Sequence, residues 1–281
     1  MNPIIINVNG VMSVPMELKV FNGGEVNVCV PDRKYPPNVE TVVITVQLSN
    51  AEDLMALVNT VDAVRRRFPA IATLMLSMAY APYARQDRVC NKGEALTSKV
   101  FANIINSLEF NVVEVYDPHS DVMPALLNNC HVMTMTDIIS QTGLAEVIIR
   151  GDLTLVSPDA GSVKKVEDLA KRMGVEDIVY GTKHRDLKSG ELSGFGYHTQ
   201  AEIRGKDVLI VDDICDGGGT FVGLAKELTQ MGGARSVSLY VTHGIFSRGV
   251  DHLLDNGIEN IWTTNSIPQV EHKNLTILNL A

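Results

Sequence analysis

Residues 208–221 read VLIVDDICDGGGTF, in which an aliphatic run meets Asp212, Asp213 and Asp216 and then Gly217, Gly218, Gly219 and Thr220. The pattern predicts a strand over Val208 to Val211, a loop over Asp212 to Gly219, and a helix from Thr220 that turns Phe221, Leu224, Ala225 and Leu228 inward. Ligands of open α/β sheets bind at such carboxyl ends of strands. Glycines there let backbone N–H groups converge on an anion, and the following helix N-terminus adds its partial positive charge. Asp212 and Asp213 cannot hold phosphate, but they can accept hydrogen bonds from sugar hydroxyls or hold a hydrated divalent cation. Acids beside a phosphate nest point to a phosphorylated sugar. A Gly-rich turn with solvated acids is the alternative, and paired acids at a buried strand end weigh against it.

Other segments carry donors of different kinds. Arg85, Gln86 and Arg88 follow a strand and a turn at Pro82, and their fork-shaped donors suit a polyphosphate, with a surface salt bridge as the plainer reading. His119 follows the strand VVEVY, where its imidazole can ligate a metal or cap the next helix. The stretch KHRDLKSGELSGFGYH is rich in Gly, Ser and charge and lacks apolar periodicity, so it reads as a mobile loop bearing Lys183, Arg185 and Lys188.

These residues need a scaffold, and the chain alternates two periods that supply one. Apolar runs at Val42 to Val46, Thr73 to Met78, Val112 to Tyr116, Leu153 to Val156, Val208 to Val211 and Val237 to Thr242 read as buried strands. Helical patterns at Asp53 to Arg67, Ser98 to Leu108, Lys164 to Met173, Thr220 to Met231 and Arg248 to Asp255 lie among them. Strand and helix in alternation predict an α/β fold with parallel sheets covered on both faces. The least patterned stretch, around Met135 to Gly143, is taken as the domain boundary.

The length of 281 residues with 45% apolar content suffices for two domains with their own cores. Cys29, Cys90, Cys130 and Cys215 are scattered without a CxxC, which argues against a zinc site or a disulfide framework and for a reduced, cytoplasmic setting. The start has no export signal, and no apolar span is long enough to cross a membrane. A net charge of −9, with Arg65, Arg66 and Arg67 late in a helical pattern, disfavours nucleic acid as a partner.

The opening string resembles the phosphoribosyl pyrophosphate loop of type I phosphoribosyltransferases and ribose-phosphate pyrophosphokinases, in which a VLIVDD-like strand runs into D-T-x-G-T. Asp212, Asp213, Asp216, Gly219 and Thr220 match it, and Gly217 replaces the usual threonine. The resemblance to ribose-phosphate pyrophosphokinases continues along nearly the whole chain. FNGGEVNV resembles the F-S-D-G-E segment, which implies that Phe21 and Glu25 reach the adenine of ATP, with Gly23 where the family has Asp. PYARQDR is the strongest match and implies ATP contacts for Arg85 and Gln86. DPHS resembles D-L-H-A and assigns His119 to the catalytic magnesium, while VSPDAG puts Asp159 at a second magnesium contact. KHR resembles the K-R-R start of the catalytic flexible loop, which makes Lys183 and Arg185 its cations. VTHGIFS and TNSIP resemble the family's C-T-H and T-N-S strand ends.

The resemblance implies two doubly wound parallel-sheet domains of the type I phosphoribosyltransferase kind: an ATP-side domain over 1–138 and a ribose-phosphate domain over 139–281. It implies transfer of the β,γ-diphosphate of ATP to the anomeric hydroxyl of ribose 5-phosphate, with Mg2+ as cofactor and a homo-oligomeric assembly in which a neighbouring subunit supplies Phe21 and Glu25. Gly217 removes a side chain and a hydroxyl donor from the phosphate loop. A larger 5-phosphorylated ribose such as ADP-ribose is therefore the alternative acceptor, in a reaction that would feed NAD synthesis or salvage. A phosphoribosyltransferase would share the acidic loop without needing PYARQDR and DPHS, and a non-catalytic regulatory homologue would not need Lys183, Arg185, His119 and Asp159. Gly93, at a usual arginine position, and the ending LTILNLA depart from the family and imply changes in allosteric phosphate control and in the standard hexamer.

Overall fold

The computed structural model describes residues 3–151, 153–185, 192–199 and 202–280, with backbone alone at 183–185, 192 and 193. The chain divides into two compact units, Met1–Met133 and Thr134–Ala281. In the first, β1 (Ile4–Val8) and β2 (Met12–Val14) form one hairpin and β3 (Glu17–Val20) and β4 (Val26–Cys29) another. There follow β5 (Thr41–Val46), α1 (Ala51–Arg67), β6 (Thr73–Met78), α2 (Thr97–Ser107), β7 (Val112–Tyr116), α3 (Val122–Leu126) and β8 (Cys130–Met133). The sheet order is β2-β1-β5-β6-β7-β8, parallel from β5 to β8 and antiparallel at β1 and β2.

Period-two burial sets this layer. Val42, Ile44 and Val46 of β5 and Leu74, Leu76 and Met78 of β6 are buried with Leu57, Val61 and Val64 of α1 and Phe101 and Ile105 of α2. Helix α1 begins where the Asn50 side chain accepts the Asp53 N–H, and its acidic first turn and basic last turn both suit the helix dipole. The basic triplet is occupied within the unit. Arg65 donates to the carbonyls of Leu108 and Glu109, Arg66 pairs with Asp62, and Arg67 binds Asp32 while lying 5.0 Å from the Tyr35 ring.

The second unit runs α4 (Met135–Ser140), α5 (Gly143–Ile149), β9 (Thr154–Ser157), α6 (Val163–Met173), β10 (Ile178–Arg185), β11 (Leu192–His198), β12 (Asp207–Cys215) and α7 (Gly219–Gln230), then β13 (Ser236–Gly244), α8 (Val250–Leu254), β14 (Asn260–Thr264) and β15 (Leu275–Leu278). Its sheet has the order β11-β10-β9-β12-β13-β14-β15, parallel throughout except for β10 with β11. Strands β10 and β12 flank β9 on opposite sides, so a topological switch point lies at the ends of β9 and β12, where such sheets bind ligands. Both faces are covered. Val208 and Ile210 pack with Phe221, Leu224 and Leu228 of α7, whereas Leu209 and Val211 pack with Ile139, Ile148 and Leu169 of α4, α5 and α6.

Three sequence expectations change here. The stretch around Met135 to Gly143 is helix α4, opened by a complete capping box between Thr134 and Asp137, followed directly by α5. At six and seven residues these helices are too short to display a periodic stripe. KHRDLKSGELSGFGYH is not simply a loop, since Lys183, His184 and Arg185 end strand β10 and Leu192 to His198 form its antiparallel partner β11. Lys188 falls outside the described residues. Strand β12 continues through both aspartates to Cys215 rather than ending at Val211. The extension of β12 is set by its pairing with β13, far along the chain, whereas α4 and the β10–β11 hairpin form between neighbouring residues that show no clear periodic stripe.

Gly181 in β10 has no room for a side chain: a Cβ there would lie 2.7 Å from the Pro158 carbonyl oxygen and 2.9 Å from that of Ser157. Gly181→Ala is expected to destabilise the chain by about 1–3 kcal/mol, because backbone must move to admit the methyl group. Thermal unfolding checks this, and an unchanged Tm would mean that the strand end relaxes freely.

Candidate active site

At the carboxyl ends of β9 and β12, carboxylates crowd together. Asp213 is buried and its carboxylate lies 3.9 Å from Lys165 Nζ in the first turn of α6. The Asp213 N–H donates to Asp212 Oδ1 at 2.9 Å. Asp212 keeps part of its surface accessible at the strand end, yet protein surrounds most of it, and its carboxyl is pushed well above the ordinary 3.8. Burial is the first cause, followed by the negative charges of Asp213 and Asp159. Asp159 folds back on its own loop, accepting the Gly161 N–H at 2.8 Å, while Ser157 and Ser162 share a buried hydroxyl contact of 2.8 Å.

The chain then turns through Asp216 and Gly217 to Gly218, whose φ of 74° and close approach to Leu253 both require glycine. No side chain caps α7, so the N–H groups of its first turn, from Gly219 and Thr220 onward, face the loop. A glycine turn ahead of an uncapped helix N-terminus is an arrangement that can receive an anion. The loop after β13 braces it, since the N–H groups of Ile245 and Phe246 donate to the Cys215 carbonyl and that of Ser247 to the Asp216 carbonyl. Beneath lies a buried polar network in which the Thr264 hydroxyl (2.7 Å) and the Ser266 hydroxyl (3.1 Å) donate to the Thr242 carbonyl, and His243 Nδ1 meets Ser266 Oγ at 2.9 Å.

In the N-terminal unit the ends of β6 and β7 bring two predicted segments together. Asp87, beside Arg88 at 2.9 Å, has its carboxyl held below the usual range by Arg88 first, with further help from a Ser120 hydrogen bond and the His119 charge. PYARQDR and DPHS therefore meet through Asp87, which sequence reasoning left out. Arg85, Gln86 and His119 are exposed at this surface. Tyr83 and Asp117 adopt positive φ values of 65° and 37°, uncommon for residues with side chains and often found at working sites. Phe21 and Glu25 lie at the turn of the β3–β4 hairpin, where the Phe21 N–H donates to the Glu25 carbonyl and Phe21, 45% exposed, lies beneath Lys19.

Lys183 pairs through its backbone with Phe195, and Arg185 with Leu192, in the strand register of β10 with β11. Lys165 was not singled out from the sequence; only its helix was, and its place beside Asp213 is set by packing of α6. No group of three or more His, Cys, Asp or Glu among the described residues can by itself hold a metal ion. Magnesium does not require such a cage, since one or two carboxylates with substrate phosphates and water complete its shell. Asp159, Asp212 and Asp213 present carboxylate oxygens, the donor type that a hard cation takes.

Residues 3–108 match the N-terminal domain of ribose phosphate pyrophosphokinase, and residues 131–268 match the phosphoribosyl transferase domain. The chain is 31% identical over 262 residues to a ribose-phosphate pyrophosphokinase of Aquifex aeolicus, covering 91% of this chain and 80% of that one. It is 32% identical over 270 residues to the chloroplastic ribose-phosphate pyrophosphokinase 2 of Oryza sativa, covering 94% and 65%. The phosphoribosylpyrophosphate synthetase of Mycobacterium smegmatis has the same fold, with a TM-score of 0.77 at 22% identity over 96% of this chain and 87% of that structure.

Because the Asp212 carboxyl is raised in the folded state, its contribution to stability is fully present below the unfolded value and is lost as pH rises through the folded one. Asp212→Asn should therefore raise Tm at neutral pH, with the gain vanishing as pH falls toward the ordinary carboxylate range. Differential scanning fluorimetry across pH tests this, and a gain that grows on acidification would reverse the assignment.

Proposed function

Since the chain belongs to the ribose-phosphate pyrophosphokinase family, we propose that it transfers the β,γ-diphosphate of ATP to the anomeric hydroxyl of ribose 5-phosphate, giving phosphoribosyl pyrophosphate and AMP. The observation that carries this reading is the β12–α7 junction, where strand-borne carboxylates stand directly before an uncapped, glycine-led helix N-terminus. Asp212 and Asp213 accept hydrogen bonds from the ribose hydroxyls, and Asp216 to Thr220 cradle the 5-phosphate. A phosphoribosyltransferase shares that junction, but the meeting of PYARQDR with DPHS through Asp87 favours a polyphosphate donor.

Arg85 and Gln86 bind ATP, and Phe21 and Glu25 on their exposed hairpin reach the adenine of a neighbouring subunit in a homo-oligomer. The anomeric oxygen attacks the β-phosphorus in line, and the bond from that phosphorus to the α-phosphate oxygen breaks to release AMP. The chain supplies positioning and charge rather than a covalent nucleophile. Lys183 and Arg185 meet the charge that develops on the transferring group. His119 in the N-terminal unit and Asp159 in the C-terminal unit would each offer a contact to Mg2+, which would supply screening of the phosphate charges. Among the described residues no helix is long and apolar enough to cross a membrane. The described cysteines are unpaired, which supports a cytoplasmic setting.

Transfer of label from γ-labelled ATP to ribose 5-phosphate tests the reaction. Lys183→Ala and Arg185→Ala should each lower kcat by about 10² to 10⁴ while changing KM far less, as donors that engage only developing charge do. Near wild-type turnover in both would remove these residues from the mechanism. EDTA should abolish transfer, and His119→Ala should need roughly 10-fold more magnesium for half-maximal rate. An unchanged magnesium response would return His119 to a structural role.

A further inference from the structure

The loop that braces the phosphate cradle brings one more cation to it. Hydrogen bonds from Ile245, Phe246 and Ser247 to the carbonyls of Cys215 and Asp216, and from the Gly249 N–H to the Phe246 carbonyl at 2.7 Å, hold this loop against residues 215–217. Phe246 and Gly249 make the turn at φ 46° and 80°. Arg248, between them, is thereby aimed at Gly217. A Cβ at position 217 would stand 3.7 Å from Arg248 Nε and 4.0 Å from its Cδ, with Ser247 Oγ at 3.9 Å. The first carbon of a side chain would fit, but atoms beyond it would enter the space that the arginine occupies. Glycine at 217 and the placement of Arg248 are thus one feature. Arg248 is exposed, and no described carboxylate is in ion-pair contact with it.

A phosphate monoester in this cradle is already met by the loop N–H groups and the α7 N-terminus. A guanidinium at the rim adds a forked, permanently charged donor suited to a second phosphoryl group. We propose that Arg248, lying over the bare Gly217, is a specificity-determining residue that binds a phosphoryl group beyond the one held by the loop. The chain then accepts ribose 5-diphosphate esters, such as a nucleoside diphosphate joined to ribose, alongside ribose 5-phosphate. This rests on the reaction proposed above, and Arg248 acts on which acceptor is bound rather than on the chemical step.

Label transfer from γ-labelled ATP to ribose 5-phosphate and to ADP-ribose, measured for wild type, Arg248→Ala, Arg248→Lys and Gly217→Thr, tests the assignment. Wild type should use both acceptors. Arg248→Ala should lose about 10- to 100-fold in kcat/KM with ADP-ribose, the range for one charge-assisted contact, and several-fold less with ribose 5-phosphate. Arg248→Lys should fall between, keeping the charge without the fork. Gly217→Thr lies in the cradle itself and should lower kcat/KM for both acceptors, but more for ADP-ribose, because it also displaces the arginine. Ribose 5-phosphate turnover with no use of ADP-ribose, or equal losses for both acceptors in Arg248→Ala, overturns the role of Arg248 and leaves the proposed reaction standing. No transfer to either acceptor overturns both.

Discussion

Negative charge held at the ends of strands that are otherwise sealed from water is the constraint on which the rest of the C-terminal unit depends. Val208 to Val211 are fully buried, and the two acids follow without a break in the strand. Neither can turn away from the protein. Asp213 is met by Lys165, Asp212 takes a backbone N–H, and burial first, then the neighbouring negative charges, raises the Asp212 carboxyl. Groups placed this way lower stability in the empty protein and favour a ligand that brings hydroxyls or a cation, a common arrangement at functional sites.

Rigid neighbours keep those charges from relaxing outward. The β10–β11 hairpin lays Phe195 so close to α7 that a Cβ at Gly223 would fall 2.1 Å from its ring, and Gly232 is closed in the same way by Ile203 and Tyr197. Helix α7 and the turn that follows it are therefore closely held by these neighbours. On the other side, the buried hydroxyls of Thr264 and Ser266 tie β14 to β13 beneath the bracing loop. A satisfied polar network of this kind stiffens the strand ends, because each member would be left unpaired by any displacement.

The N-terminal unit meets its charges differently. There Asp87 is met by Arg88 first, with Ser120 and His119 from the next strand end, which lowers its carboxyl rather than raising it. Arg85 and Arg88 stand exposed in the same segment, whereas the end of β12 carries the paired acids. Opposite shifts in the two carboxylates follow from opposite surroundings.

The sequence by itself determined the α/β class, the central strands and the longer helices, because unbroken apolar runs such as Thr73 to Met78 and stripes such as that of Thr97 to Ser107 are local signals. It also determined the types of the working residues, since VLIVDDICDGGGTF, PYARQDR and DPHS keep their chemistry on neighbouring positions. Tertiary structure decided what is non-local. The pairing of β12 with β13 is of this kind, while the hairpins β1–β2, β3–β4 and β10–β11 and the short helices α4 and α5 join neighbouring segments that leave little periodic trace. Lys165 beside Asp213, Ser120 beside Asp87 and Arg248 over Gly217 were likewise set by packing, because a side chain's partner across a sheet end depends on strand order and loop hydrogen bonds rather than on its position in the chain.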